Sequence, residues 1–193
     1  MQIEKGIQQS EREHVAALYW QGFGEKLGRM LGPQERAVAY IACALNSDHI
    51  FCARTAAGSI AGIAGYQTPK GGLLRGNPEY LVDHYGHIGA IWRRIMFSLL
   101  KSPFGTGSFV IDGIVVAREY RGDGIGTGLI EALAREANRQ GYDMLRLEVV
   151  DDNFRAKALY ERRGFRKSGG ASIGILRHIF GFRRTITMER RLR

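Results

Sequence analysis

The chain has 193 residues, 45% hydrophobic and 24% charged, enough for one well-cored domain and short of two. No apolar run is long enough to span a bilayer and the N-terminus has no apolar signal segment, so a cytoplasmic protein with no membrane span is expected. The formal net charge of +9 is gathered at one end, where residues 154–193 hold twelve Lys/Arg against two acids and leave the rest near neutral. Such an end fits an anionic partner, or a surface kept in solution by its charge. Cys43 and Cys52 lack CxxC spacing, which points to two small buried hydrophobes rather than a disulfide or zinc site.

Along the chain, residues 3–8 read as a first strand. Ser10 opens a capping box with Glu13, and Val15, Leu18 and Tyr19 continue at helical spacing, giving a helix over 11–23. Pro33 starts a second helix over 33–45. The runs 50–54 and 59–66 read as a hairpin about Thr-Ala-Ala-Gly. Residues 68–107 read as an insertion of one or two helices, broken at Gly86 or Gly89. The remainder alternates: strand 109–117, helix 125–140 ended by Gly141, strand 145–150, helix 154–163 ended by Gly164, and strands near 165–167 and 184–189. Strand–helix–strand at this spacing predicts a right-handed crossover between parallel strands.

Gly122, Gly124, Gly126 and Gly128 stand where the strand at 109–117 runs into its helix. The first amides of a helix lack internal partners and its dipole favours negative charge, while glycines let a phosphate approach. A P-loop is excluded because no lysine follows the glycines, and a dinucleotide fingerprint because Thr127 or Leu129 holds its last glycine position. What remains is Arg121-x-x-Gly124-x-Gly126.

That pattern, within VVAREYRGDGIGTGLIEAL, resembles the acetyl-CoA-binding segment of the GNAT superfamily of N-acetyltransferases. EVVDDNFRAKALYERRGF resembles the strand and helix that follow in that family, through Asn153, Ala156, Leu159, Tyr160, Glu161, Gly164 and Phe165. The resemblance implies an α/β fold: a mixed, mostly antiparallel twisted sheet flanked by helices, with a central parallel strand pair splayed to admit pantetheine. It implies acetyl-CoA as co-substrate, its pyrophosphate on the amides of Arg121, Gly122, Asp123, Gly124, Ile125 and Gly126, with Thr127 near the helix start. Main-chain groups of Val115 and Val116 would bond the pantetheine, and the Val116 amide would polarise the thioester carbonyl. Tyr160 would protonate the departing thiolate; otherwise it is an aromatic packed on the sheet. Asn153 reads as a helix cap, and the resemblance implies that it also contacts the cofactor, with Ala156 beside it.

The general base is left open between Glu148 and Asp112, carboxylates in apolar strands that need a partner or a task. His84 and His87 are spaced for a metal, but no further ligands accompany them and no metal is expected. Gly170–Gly174 has nucleophile-elbow spelling without the chain that must follow it, and reads as a flexible loop. The resemblance implies that the acceptor is an amine of a small molecule or peptide, its pocket expected to be walled by residues 22–32 and 68–107. The helix at 88–100, with Arg93 and Arg94 beside Trp92, is expected to pack on the sheet; a seat on a membrane or partner is the alternative. Without an RNA-type aromatic motif or a helix-turn-helix, nucleic acid is not expected as a partner. A homodimer is left open. The function expected is N-acetyl transfer by direct attack, with a non-catalytic acyl-CoA, nucleic-acid or membrane module as the alternative.

Overall fold

The computed structural model describes residues 1–100, 108–174 and 177–192; the end of the predicted insertion, 101–107, lies outside them. Seven strands form one sheet in the order β1-β2-β3-β4-β5-β7-β6. They are β1 (Gln2–Lys5), β2 (Ile50–Arg54), β3 (Ile60–Gln67), β4 (Phe109–Val116), β5 (Met144–Val150), β6 (Arg166–Ser172) and β7 (Arg184–Arg191). Only β4 and β5 pair in parallel; the other neighbours are antiparallel.

Side-chain alternation gives each face of the sheet an apolar layer to cover. On one face, α1 (Arg12–Leu31), α2 (Gln34–Ala44) and part of α3 (Pro78–Leu100) pack Val15, Leu18, Ile41 and Leu81 against Ile50, Ile63 and Val115. On the other, α4 (Ile125–Arg139) packs Leu129, Ile130 and Leu133 against Phe109, Ile111, Leu145 and Leu147, and α5 (Phe154–Arg162) adds Leu159 and Tyr160 at its rim. The short α6 (Arg177–Phe180) brings Phe180 into the first layer.

Several local expectations change. The capping box forms two residues early: Gln8 is the cap, its amide donating to Glu11 at 2.8 Å. Glu11 then grips Arg54 of β2 with both oxygens. α1 runs to Leu31 rather than stopping at Phe23. Gly22 inside it is a point of close approach, since a Cβ there would lie 2.5 Å from Val115. Cys52 is buried, which pushes its thiol up to about 12, but Cys43 is exposed. α3 does break at Gly86, whose φ of 67° and ψ of 171° leave the helix. Gly170 to Ser172 belong to β6 instead of a flexible loop, and Gly170 lets β7 approach: a Cβ there would meet the Thr185 carbonyl at 2.5 Å.

Candidate active site

Three rungs join the central parallel pair: Phe109 to Leu145, Val110 to Arg146 and Ile111 to Leu147. The ladder then stops, although β4 continues to Val116 and β5 to Val150. Its end coincides with a bulge. Gly113 pairs with Gly65 and Ile111 with Tyr66, so Asp112 is the extra residue of β4. A bulge bends and twists its strand, and here β4 leaves β5 at that point. The result is a wedge-shaped gap.

Main-chain polarity in the gap follows from the ladder. Ala117 donates to Ala61 at 2.9 Å, so by alternation Val115 also spends its main-chain groups on β3. Val116 and Ile114 turn theirs into the gap. The expectation for Val115 is corrected accordingly: its amide is committed to the sheet and its side chain to the core, while Ile114 shares the orientation of Val116.

Beyond β4 a turn of 3-10 helix, Arg118–Tyr120, leads into the glycine segment. Gly122 (φ 108°) and Gly124 (φ 77°) occupy left-handed backbone, and a Cβ at either would meet open space. Gly124 caps α4 without a side-chain acceptor. The first amide in the helical ladder is that of Gly128, donating to the Gly124 carbonyl at 3.0 Å. The amides of Ile125, Gly126 and Thr127 are therefore free for an anion, beside the exposed Arg121–Gly124 turn. The other two glycines serve packing. A Cβ at Gly126 would stand 3.2 Å from Leu159 of α5, and one at Gly128 would stand 2.7 Å from Ile3 of β1. Arg121 folds back, its Nε donating to the Val116 carbonyl at 3.1 Å, so it braces the strand end as well as lining the turn.

Asn153 is a cap: its Oδ1 accepts from the Ala156 amide at 3.1 Å. That amide is thereby occupied, leaving Ala156 to the apolar rim of the second layer. Tyr160 lies in the same rim, its ring edge-on to Phe165 at 5.7 Å. Burial pushes its phenol up to about 12, so it stays protonated at neutral pH. Among the described residues its hydroxyl has no hydrogen-bond partner.

Asp112 and Glu148 are the first residues past the last parallel rung, on the face opposite α4. Asp112 is exposed by surface area yet is surrounded by many protein atoms. Desolvation raises its carboxyl above the usual range, with the nearby Leu73 amide opposing the shift. Glu148 is half-buried, opposite Thr187 of β7. α1 walls this side. Its Phe23 ring fills the space a Cβ on Gly113 would take, at 2.5 Å, and Lys26 lies 6.0 Å over that ring. Burial holds the Lys26 ammonium below its ordinary value, with Asp152 of the β5–α5 turn opposing the shift. Reading by sequence missed Gly113, Phe23 and the Leu73 amide; an Asp-Gly pair inside an apolar strand is the available sign of the bulge. His84 is used structurally, its Nδ1 donating to the Tyr80 carbonyl at 2.8 Å. Among the described residues no group of three metal-capable side chains occurs.

The comparisons agree with this architecture. The uncharacterized N-acetyltransferase YobR of Bacillus subtilis (strain 168) is 42% identical over 70 residues, 33% of this chain and 28% of that protein. A thialysine N-epsilon-acetyltransferase of Bos taurus is 44% identical over 54 residues, 28% of this chain and 32% of that protein. The matches thus span about a third of those relatives' length. The crystal structure of an N-acetyltransferase from Staphylococcus aureus Mu50 superposes with a TM-score of 0.68 over 98% of this chain and 100% of that one, and its 16% identity makes the likeness one of fold. Residues 12–165 match the acetyltransferase (GNAT) family. With a splayed parallel pair and a helix N-terminus free of any side-chain cap where that family's motif stands, this chain belongs to the GNAT family of acetyltransferases.

Proposed function

We propose that the protein is an acetyl-CoA-dependent N-acetyltransferase acting on an amine of a small molecule or peptide by direct attack. The observation that carries this reading is the set of free amides at the start of α4, opening onto the gap between β4 and β5. Residues and ligand fit. Gly122 and Gly124 leave room for a diphosphate, the helix end favours its charge, and the inward main chain of Ile114 and Val116 offers strand-like bonds to pantetheine.

In the proposed reaction Asp112, directly or through water, takes the proton that makes the acceptor nitrogen nucleophilic. A carboxylate of raised pKa is the better base for an ammonium. The nitrogen lone pair attacks the thioester carbonyl, whose oxygen is stabilised by the Val116 amide. The carbon–sulfur bond breaks and Tyr160 protonates the thiolate, while the second nitrogen proton passes through water to restore the phenol, leaving an amide and a free thiol. Glu148, beside Asp112 at the crotch, assists in holding the acceptor ammonium. The thialysine relative makes amino-acid side-chain amines the first acceptors to try. Thiol release from acetyl-CoA across an amine panel tests the proposal; no turnover above hydrolysis with any amine, with coenzyme A still bound, would instead support a non-catalytic acyl-CoA module.

A further inference from the structure

The second half of α3, after the break at Gly86, presents two faces. Ala90 is buried and Phe97 is partly buried against the first core layer. On the opposite face Ile88, Ile91, Trp92 and Ile95 are 86, 59, 39 and 52% exposed. Their spacing of i, i+3, i+4 and i+7 makes them one continuous strip. A lone exposed leucine or isoleucine is ordinary; four large apolar side chains in a row mark an interaction surface. The packing expected of this helix is made by Ala90 and Phe97, while Trp92 stays exposed.

Charge discriminates between occupants. Exposed His87 and Arg94 line one edge of the strip. On the other edge Arg93 stacks on Tyr85 at 3.6 Å and lies 5.5 Å from the Trp92 ring. From His87 to Ser98 the sequence has no acid, and among the described residues neither arginine has a carboxylate partner. A second copy pairing strip to strip would set arginine edges against each other with no acid between them. The strip, a few hundred Å² in extent, also falls short of the roughly 800 Å² per partner of a stable protein interface. An anionic bilayer meets both objections. Its headgroups neutralise the arginines, its acyl boundary takes the isoleucines, and tryptophan favours the level between. No helix among the described residues is long and apolar enough to cross a membrane, so such an association is peripheral. We propose that the Ile88, Ile91, Trp92 and Ile95 face of α3 seats the protein on an anionic lipid surface.

The full chain is sedimented with vesicles of phosphatidylcholine, with and without phosphatidylglycerol. Native protein pellets with the anionic vesicles, less at high salt, and stays in the supernatant with phosphatidylcholine alone. The double variant Ile88→Asp/Ile95→Asp loses about tenfold or more of this binding while keeping its circular dichroism and coenzyme A affinity; Arg94→Glu loses severalfold. A measurement free of strip variants uses Trp20→Phe protein, in which Trp92 alone fluoresces and shifts to the blue on anionic vesicles. Absence of both pelleting and blue shift overturns the proposal, as does undiminished pelleting of the folded double variant. Sedimentation equilibrium showing a dimer that the double variant abolishes would assign the face to a second copy and overturn it equally.

Discussion

Gly126 and Leu159 meet across the mouth of the sheet: a Cβ on the glycine would stand 3.2 Å from the leucine Cδ2. This contact sets the first turn of α4 against α5, the helix that carries Tyr160. It also separates two kinds of glycine in one motif, those that leave room for a ligand and those that leave room for a neighbour.

The division predicts opposite phenotypes. Gly124→Ala forces a Cβ into left-handed backbone (φ 77°) at a cost of about 1 kcal/mol, and it weakens coenzyme A binding about tenfold or more by tilting the free amides. Gly128→Val, driven into Ile3, lowers the melting temperature by several degrees, with about 1–3 kcal/mol lost to overpacking, yet leaves coenzyme affinity within about twofold. Calorimetric titration and thermal unfolding of both variants measure the two effects apart.

Tyr160→Phe keeps the edge contact with Phe165 and removes only the hydroxyl. It lowers kcat about a hundredfold, the usual lower range for a lost proton donor, with the dissociation constant for coenzyme A unchanged. A fall in coenzyme affinity with kcat preserved would make Tyr160 a packing residue alone.

The proposed base, Asp112, can act only when ionised, and desolvation holds its carboxyl above the ordinary range. If it is the base of the proposed reaction, kcat/KM of the native protein rises with pH along a limb displaced upward from that range. Asp112→Asn flattens the limb and lowers the plateau about a hundredfold. A profile unchanged in shape would move the role to Glu148.

Stability answers to a different carboxylate. Buried Glu136 on α4 accepts from Lys5 of β1 at 2.7 Å, from Arg139 at 2.7 and 2.8 Å and from Gln140 at 2.8 Å. The Arg139 hydrogen bonds, more than the others, pull its carboxyl well below the usual range despite desolvation. The folded pKa lies under the unfolded one, so this stabilisation is complete above the ordinary carboxylate value and drains away as pH falls below it. Glu136→Gln costs about 3 kcal/mol near neutrality, the lower end for breaking a buried pair. The gap to native protein narrows in acid, as urea unfolding at several pH values will record.

Much of this was legible in the chain. Periodicity located the hairpin and the crossover β4-α4-β5 and narrowed the break in α3 to Gly86 or Gly89, because each rests on local spacing or on a glycine's conformation. Gly124 and Asn153 were readable as helix starts for the same reason. What the sequence hid depends on which atoms meet at a distance. Gly22, Gly126 and Gly128 look alike in the chain, and only Val115, Leu159 and Ile3 give each its reason. Val115 and Val116 are adjacent valines until the register with β3 sends one main chain to the sheet and the other into the gap. Only the start of β6, near 165–167, was legible; its exposed continuation to Ser172 has no apolar alternation and exists because β7 offers it an edge.

The crystal structure of the protein grown with coenzyme A tests the account most directly. The diphosphate should rest on the main-chain nitrogens between Gly122 and Thr127, with the pantetheine threaded past Val116 between the diverging strands. A coenzyme held elsewhere, with that turn and gap filled only by solvent, would contradict it.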